Sequence, residues 1–168
     1  MAKDPYISGF KWLAVYQIAG GLLGIVLMGN LFFAADFTPI LYVMIICVGL
    51  LLYIFSIYCG IILFQSKSNS LVLSFVCQSL QAISVSFFGF YYKYVSGFLF
   101  SIILESTDSF HLRFGLNLSS FSFVIGGDSD GRTIEFNTIA IGIMVVLAHA
   151  IKSIAIERRG DMIDSIGS

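Results

Sequence analysis

Charge is nearly absent from four long apolar stretches of the chain and gathers in the short pieces between them. A helix rises about 1.5 Å per residue, so crossing the roughly 30 Å hydrocarbon core of a bilayer takes about 20 apolar residues. The stretches from Trp12 to Phe33 and from Ile40 to Phe64 reach that length without a charge. Pro39 stands just before the second, where its missing N–H is harmless because a first helical turn has no partner for it. A third stretch starts at Leu71 and stays uncharged until Lys93, and a fourth runs from Thr138 to Ile156 with His149 and Lys152 inside it. The pattern predicts transmembrane helices at 12–33, 40–64, 71–93 and 138–156, in a single integral membrane domain covering 1–168.

Between the third and fourth stretches the period changes. Val95 to Leu104 is apolar and reads as an extension of the third helix out of the bilayer, or as a segment at the interface. Phe110, Leu112, Phe114, Leu116 and Leu118 then alternate with His111, Arg113, Gly115, Asn117 and Ser119, the mark of a half-buried strand. Phe121, Phe123 and Ile125 resume the alternation after a shift of phase at Ser119-Ser120, which implies a bulge or bend. The run from Gly126 to Gly131 is a turn signal, and Arg132, Ile134 and Phe136 form the returning strand. The expected fold class is an all-α membrane protein, a bundle of four transmembrane helices with a small external antiparallel β-hairpin or sheet at about 108–136.

Composition agrees with a membrane solvent. Of 168 residues, 58% are hydrophobic and only 11% charged, too few to give a soluble domain a polar surface. Lys3 and Lys11 precede the first stretch in the manner of a signal peptide. That run is longer than a usual signal core, and Phe33-Ala34-Ala35 lacks a small residue three places before a cut, so it is read as a retained anchor. Lys3, Lys11, Lys67, Lys152, Arg158 and Arg159 fall on one side if the termini share it, which places both termini in the cytoplasm and the protein in the cell (inner) membrane. Lys93 and Lys152 read as interface anchors, and the aromatic cluster from Phe87 to Tyr94 as an outer belt.

Within a bilayer, helices associate through close backbone approach and side-chain hydrogen bonds. The helix-packing glycines are Gly20 and Gly24, which form a GxxxG pair beside Gln17 and Gly21, then Gly49 and Gly60 on the second helix and Gly142 on the fourth. The remaining stripe residues are Tyr53 and Ser56 on the second helix, Ser74, Cys77, Gln78, Gln81 and Ser84 on the third, and Val145, His149 and Lys152 on the fourth. Counted from the cytoplasmic ends, Gln17, Ser56, Gln78, Gln81 and His149 share a depth of roughly 9 to 15 Å, forming a polar layer in the inner half of the bundle. Interhelical glue is the preferred reading of that layer over a cytoplasm-facing cavity with His149 at its floor.

Chemistry is sparse. Cys47, Cys59 and Cys77 all lie in the apolar stretches and form no CxxC pair, so neither a disulfide framework nor a metal site is expected. Asp128 and Asp130 lack the third ligand and the later Glu of a calcium loop and read as a turn. Asn117-Leu118-Ser119 matches a glycosylation sequon, meaningful only in an endoplasmic-reticulum lumen. No catalytic set, cofactor motif or basic patch for nucleic acid stands out, and an enzyme is the least supported class. A hairpin this small cannot bury its own apolar side, so Phe110, Leu112, Phe114, Phe121 and Phe123 form an expected external docking face. The expected function is association: an accessory or assembly subunit of a membrane complex, with the lipid bilayer and a protein partner or a second copy as contacts. The alternative is a homo-oligomeric pore or small transporter lined by the polar layer.

Overall fold

The computed structural model describes residues 9–34, 40–67, 69–106, 110–126 and 132–167; side chains at 31–34, 41, 110 and 157–167 lie outside the description. The elements are α1 (Lys11–Ala34), α2 (Ile40–Phe64), α3 (Ser70–Ala82), β1 (Ile83–Phe87), β2 (Phe90–Ser106), β3 (Phe110–Ile125), β4 (Arg132–Asn137) and α4 (Thr138–Gly167).

The all-α four-helix bundle is overturned at the third stretch. Helix α3 has only 13 residues, about 20 Å at 1.5 Å each, and passes straight into β1 at Ile83, whose φ of −133° is extended. The reason is visible in the side chains. Ile83, Val85 and Phe87 alternate with Ser84 and Ser86, a period of two, and the following Phe- and Tyr-rich run favours strands over helix. Phe88 and Gly89 both take positive φ, 45° and 77°, which makes a two-residue type I′ turn between β1 and β2. The apolar run Val95 to Leu104, expected to prolong a helix, is the middle of β2. Sheet thus replaces the outer part of the third span and begins at Ile83, not near residue 108.

The sheet is antiparallel with strand order β1-β4-β2-β3, and β1 also pairs with β2. β3 runs along the whole of β2, whereas the opposite edge of β2 is shared: Phe90 to Tyr92 face β1, and Ser101 to Ser106 face β4. A strand that changes partner midway has to bend, and β2 bends at a bulge between Val95 and Phe98, where Gly97 takes a φ of 105°. Ser96 and Gly97 there stand against Ser119 alone, at the place where the β3 pattern shifts phase.

Packing divides the molecule into two ends. At one, Leu13 and Ala14 of α1, Leu63 of α2, Leu71 of α3 and Ile143, Leu147 and Ala150 of α4 form an apolar cluster. The start of α1 and the middle of α4 are therefore on the same side of the protein, and all four helices contribute to this cluster. At the other end Met28 of α1 and Tyr53 of α2 cluster with Tyr94 of β2 and Phe121 of β3. Small residues set the helix approach: a Cβ on Gly24 would strike the Tyr53 ring, and one on Gly60 would lie 2.8 Å from the Ala14 carbonyl oxygen. Gly49 abuts Met28 and Phe121. The expected stripe on α4 faces outward instead: Gly142, Val145, His149 and Lys152 are exposed, and Ala140, Ile143, Leu147 and Ala150 are buried. Helix α4 meets the apolar cluster, not a polar seam, so its apolar side turns inward.

Three helical segments are long and apolar enough to cross a membrane: Lys11–Asn30, Tyr42–Phe64 and Thr138–Ile156. Gly20 is the tightest joint between them and the sheet, since a Cβ there would lie 2.5 Å from the Gly97 nitrogen and 2.7 Å from the Ser96 carbonyl carbon. Backbone cannot step aside as a side chain can. Gly20→Leu is expected to lower stability by about 3 kcal/mol or more, by overpacking. Gly142→Ala, with nothing within 4 Å, is expected to gain up to about 1 kcal/mol from helix propensity. Thermal unfolding of both variants in the same detergent measures the contrast.

Candidate functional site

Two polar assemblies hold the chemistry of this chain, and both depend on the bend in β2. The first surrounds the bulge. Gln17, Ser56, Ser74, Gln78, Gln81 and Ser96 are completely or almost completely buried. Gln81 at the end of α3 accepts the Ser96 N–H at 2.9 Å, and Ser119 accepts the Gly97 N–H at 2.8 Å while donating to the Gly20 carbonyl at 3.0 Å. Ser56 donates to the Gln17 carbonyl at 3.1 Å and lies 3.0 Å from the Ser96 hydroxyl; Ser74 donates to Gln17 Oε1 at 3.2 Å. Tyr53 and Tyr16 donate to the Val95 and Phe98 carbonyls, on either side of the bulge.

Of the five residues expected to form a polar layer, Gln17, Ser56, Gln78 and Gln81 are buried here, and His149 is on the exposed face of α4. Ser96 and Ser119, absent from that expectation, complete the assembly. Neither amide atom of Gln78 has a hydrogen-bond partner among the described residues, nor does Gln17 Nε2.

The second assembly is a cradle on the sheet. Residues opposite one another in register share a face. One face of the far half is apolar: Phe98, Phe100, Ile102 and Leu104 oppose Leu118, Leu116, Phe114 and Leu112, with Ile134 and Phe136 of β4 and Ile83 and Val85 of β1 continuing the row. The reverse face carries Ser84, Ser86, Ile103, Glu105, Arg113, Thr133 and Glu135. Because β1 pairs with both β4 and the start of β2, the sheet curls, and Lys93 reaches Glu135 although no ladder sets them opposite each other. The ammonium holds both carboxylate oxygens, at 2.8 and 3.0 Å. With Tyr91, these residues line a hollow of about 300 Å³. Burial, and after it the Glu135 charge, pushes the Tyr91 phenol above its ordinary pKa, so it stays neutral and able to donate.

Lys93 is therefore not a snorkelling anchor at the end of a helix; it is a half-buried strand residue locked to a carboxylate 42 positions away. Both of its described hydrogen bonds go to Glu135. No group of three or more His, Cys, Asp or Glu side chains that could hold a metal occurs among the described residues. Cys59 donates to the Leu73 carbonyl at 3.5 Å and Cys77 lies beside the Gln81 amide, both deep between helices.

The expected docking residues divide. Leu112 and Phe114 are exposed on the apolar sheet face; Phe121 is buried against Met28, Tyr53 and Tyr94, and Phe123 packs beside it. The side chain of Phe110 and the turn residues Asp128 and Asp130 lie outside the described residues. Compared with protein-family models, curated proteins and solved structures, the chain matches none of them.

Lys93 and Glu135 are only 12% and 9% exposed, so breaking the pair strands a buried charge. Glu135→Gln is expected to cost about 3–5 kcal/mol, and the joint replacement Lys93→Met with Glu135→Leu to return near wild type. Arg113→Ala breaks an exposed 3.3 Å pair with Glu105 and is expected to change stability by about 1 kcal/mol or less. A double-mutant cycle in denaturant reads all of these.

Proposed function

We propose that this chain is a small multi-pass membrane protein that works by association, as an accessory or assembly subunit holding an amphipathic sheet at the membrane. The observation that carries the reading is the far half of the sheet. Phe98, Phe114 and Leu116 are 63%, 65% and 83% exposed on one face, and no part of the described chain covers them. Patches of that kind mark contact surfaces. The three long apolar helices support a membrane anchor, and their outward residues, among them Val26, Leu51 and Val145, are themselves exposed and apolar. Shared burial of Leu13, Leu63, Leu71 and Ala150 supports termini on one side, and the distribution of Lys and Arg supports the cytoplasm as that side.

One observation favours the alternative of a homo-oligomeric pore or small transporter. The amide of Gln78, fully buried and without a hydrogen-bond partner among the described residues, is an expense that a packing role does not explain. If packing is its only role, Gln78→Leu should leave function intact and hold or raise the unfolding midpoint; loss of solute flux in a variant of unchanged stability would favour transport.

The association reading is tested by the native mass of tagged protein extracted gently from its own membrane. A mass above that of one chain is expected. Phe114→Asp together with Leu116→Asp should lower it without lowering the thermal midpoint, because both side chains are exposed. A single-chain mass in the wild type would sink the reading.

A further inference from the structure

We propose that the hollow on the polar face of the sheet binds a small uncharged polyol, a sugar or cyclitol ring, free or carried as a lipid headgroup. The inference goes beyond the association reading and stands or falls apart from it.

The ladders place the lining. On this face one transverse row runs Ser84, Glu135, Ile103, Arg113, and the next runs Ser86, Thr133, Glu105. Tyr91 stands opposite Ser86 across the β1–β2 ladder, and Lys93 lies two residues further along β2, on the same face. β1 pairs with the start of β2 and with β4, and β4 pairs with the end of β2, so the rows wrap round a hollow of about 300 Å³. That volume is at the lower end for small-molecule pockets and suits one ring-sized molecule.

Burial grades the charges. Ser84 and Glu135 are buried, and Lys93 holds both Glu135 oxygens at 2.8 and 3.0 Å, so the deep charges answer each other. An ion of either sign that reached them would shed its water without meeting an unmatched counter-charge. The second pair, Arg113 with Glu105, is at the rim, with side chains 69% and 33% exposed and one contact of 3.3 Å. Two cations and two carboxylates therefore line the hollow, one pair at each depth.

Between the pairs lie hydroxyls. The side chains of Ser84, Ser86, Thr133 and Tyr91 all line the hollow, and none makes a hydrogen bond among the described residues. A hydroxyl donates once and accepts twice, and the hydroxyls of a polyol do the same, so the two sets satisfy one another in either direction. Val85 and Ile103 offer apolar surface to the C–H face of a ring, and the exposed guanidinium of Arg113 donates at the rim. A phosphate or a zwitterion would have to open one of the ion pairs to find its counter-charge. A polyol leaves both closed.

The test uses the full chain in lipid nanodiscs free of sugar-headed detergent. Glucose, myo-inositol and glycerol are titrated to about 10 mM, enough to saturate a site with a dissociation constant of about 1 mM, and binding is read by saturation-transfer NMR. Glycine and inorganic phosphate serve as the zwitterionic and anionic probes. Saturable transfer from at least one polyol is expected, with no displacement by glycine or phosphate. Ser86→Ala together with Thr133→Val removes two wall hydroxyls and no described hydrogen bond, and is expected to weaken binding about tenfold at an unchanged thermal midpoint. Tyr91→Phe, which removes only the phenol hydroxyl, gives the reading if the double variant lowers the midpoint. Saturation by none of the three polyols overturns the proposal, as does equal binding in the hydroxyl variants or displacement by glycine or phosphate. The same polyol added as the headgroup of a diacyl lipid separates the sources: displacement of the free polyol assigns a lipid, and its absence a free solute. None of these readings depends on the native mass, so failure here leaves the association reading in place.

Discussion

Buried backbone groups must be hydrogen-bonded, and the bend in β2 is where this chain meets that constraint most severely. At Ser96 and Gly97 the ladder to β3 is interrupted inside the protein, where water is not at hand to substitute. Two elements supply the missing partners, Gln81 from α3 and Ser119 from β3, and the Ser119 hydroxyl in turn donates to the Gly20 carbonyl of α1. Gly20 has no Cβ because the strand backbone occupies that space. Glutamine and serine in an apolar helix are therefore explained by a strand lying across them, and the positions of α1, α2 and α3 follow from a shared obligation to one dipeptide.

The same bend creates the cradle. On either side of the bend one edge of β2 meets β1 and then β4, β1 also pairs with β4, and Lys93 of β2 meets Glu135 of β4 across this arrangement. Structural satisfaction and the polar hollow are two sides of one geometry. Changes near Gly97, where φ is 105°, act on both.

The helices α1, α2 and α4 could be read from runs of uncharged residues, and β3 and β4 from alternation, with the shift of phase at Ser119-Ser120 matching the bulge across the ladder. In the third stretch hydrophobic length and period point to different structures, and the period of two prevails. From Ile83 to Phe87 apolar residues alternate with serine, and a sequence apolar enough for a span is equally apolar enough for a strand between helices. Once Lys93 is placed on a helix end, its meeting with Glu135 across 42 residues has no signal. His149 and Gly142 stand at the right spacing for an inward stripe, yet helical spacing cannot tell which side of α4 the other elements occupy, and Ala140 and Leu147 won the interior. The amides of α1 and α3 are costly in an apolar helix whatever the topology, so their burial among polar partners is legible from sequence.

β4 and α4 form one continuous piece, joined at Asn137, whose side chain accepts the Ala140 N–H at 3.2 Å and caps the helix. Chain order makes β4 the last strand of the sheet to be synthesised. When α1, α2, α3 and the β2–β3 ribbon have left the ribosome, β1 still lacks its second neighbour and Lys93 its carboxylate. Both arrive with the same short strand, immediately ahead of the last apolar helix. A chain ending before Arg132 would lack both the strand that completes the sheet and the carboxylate that holds Lys93.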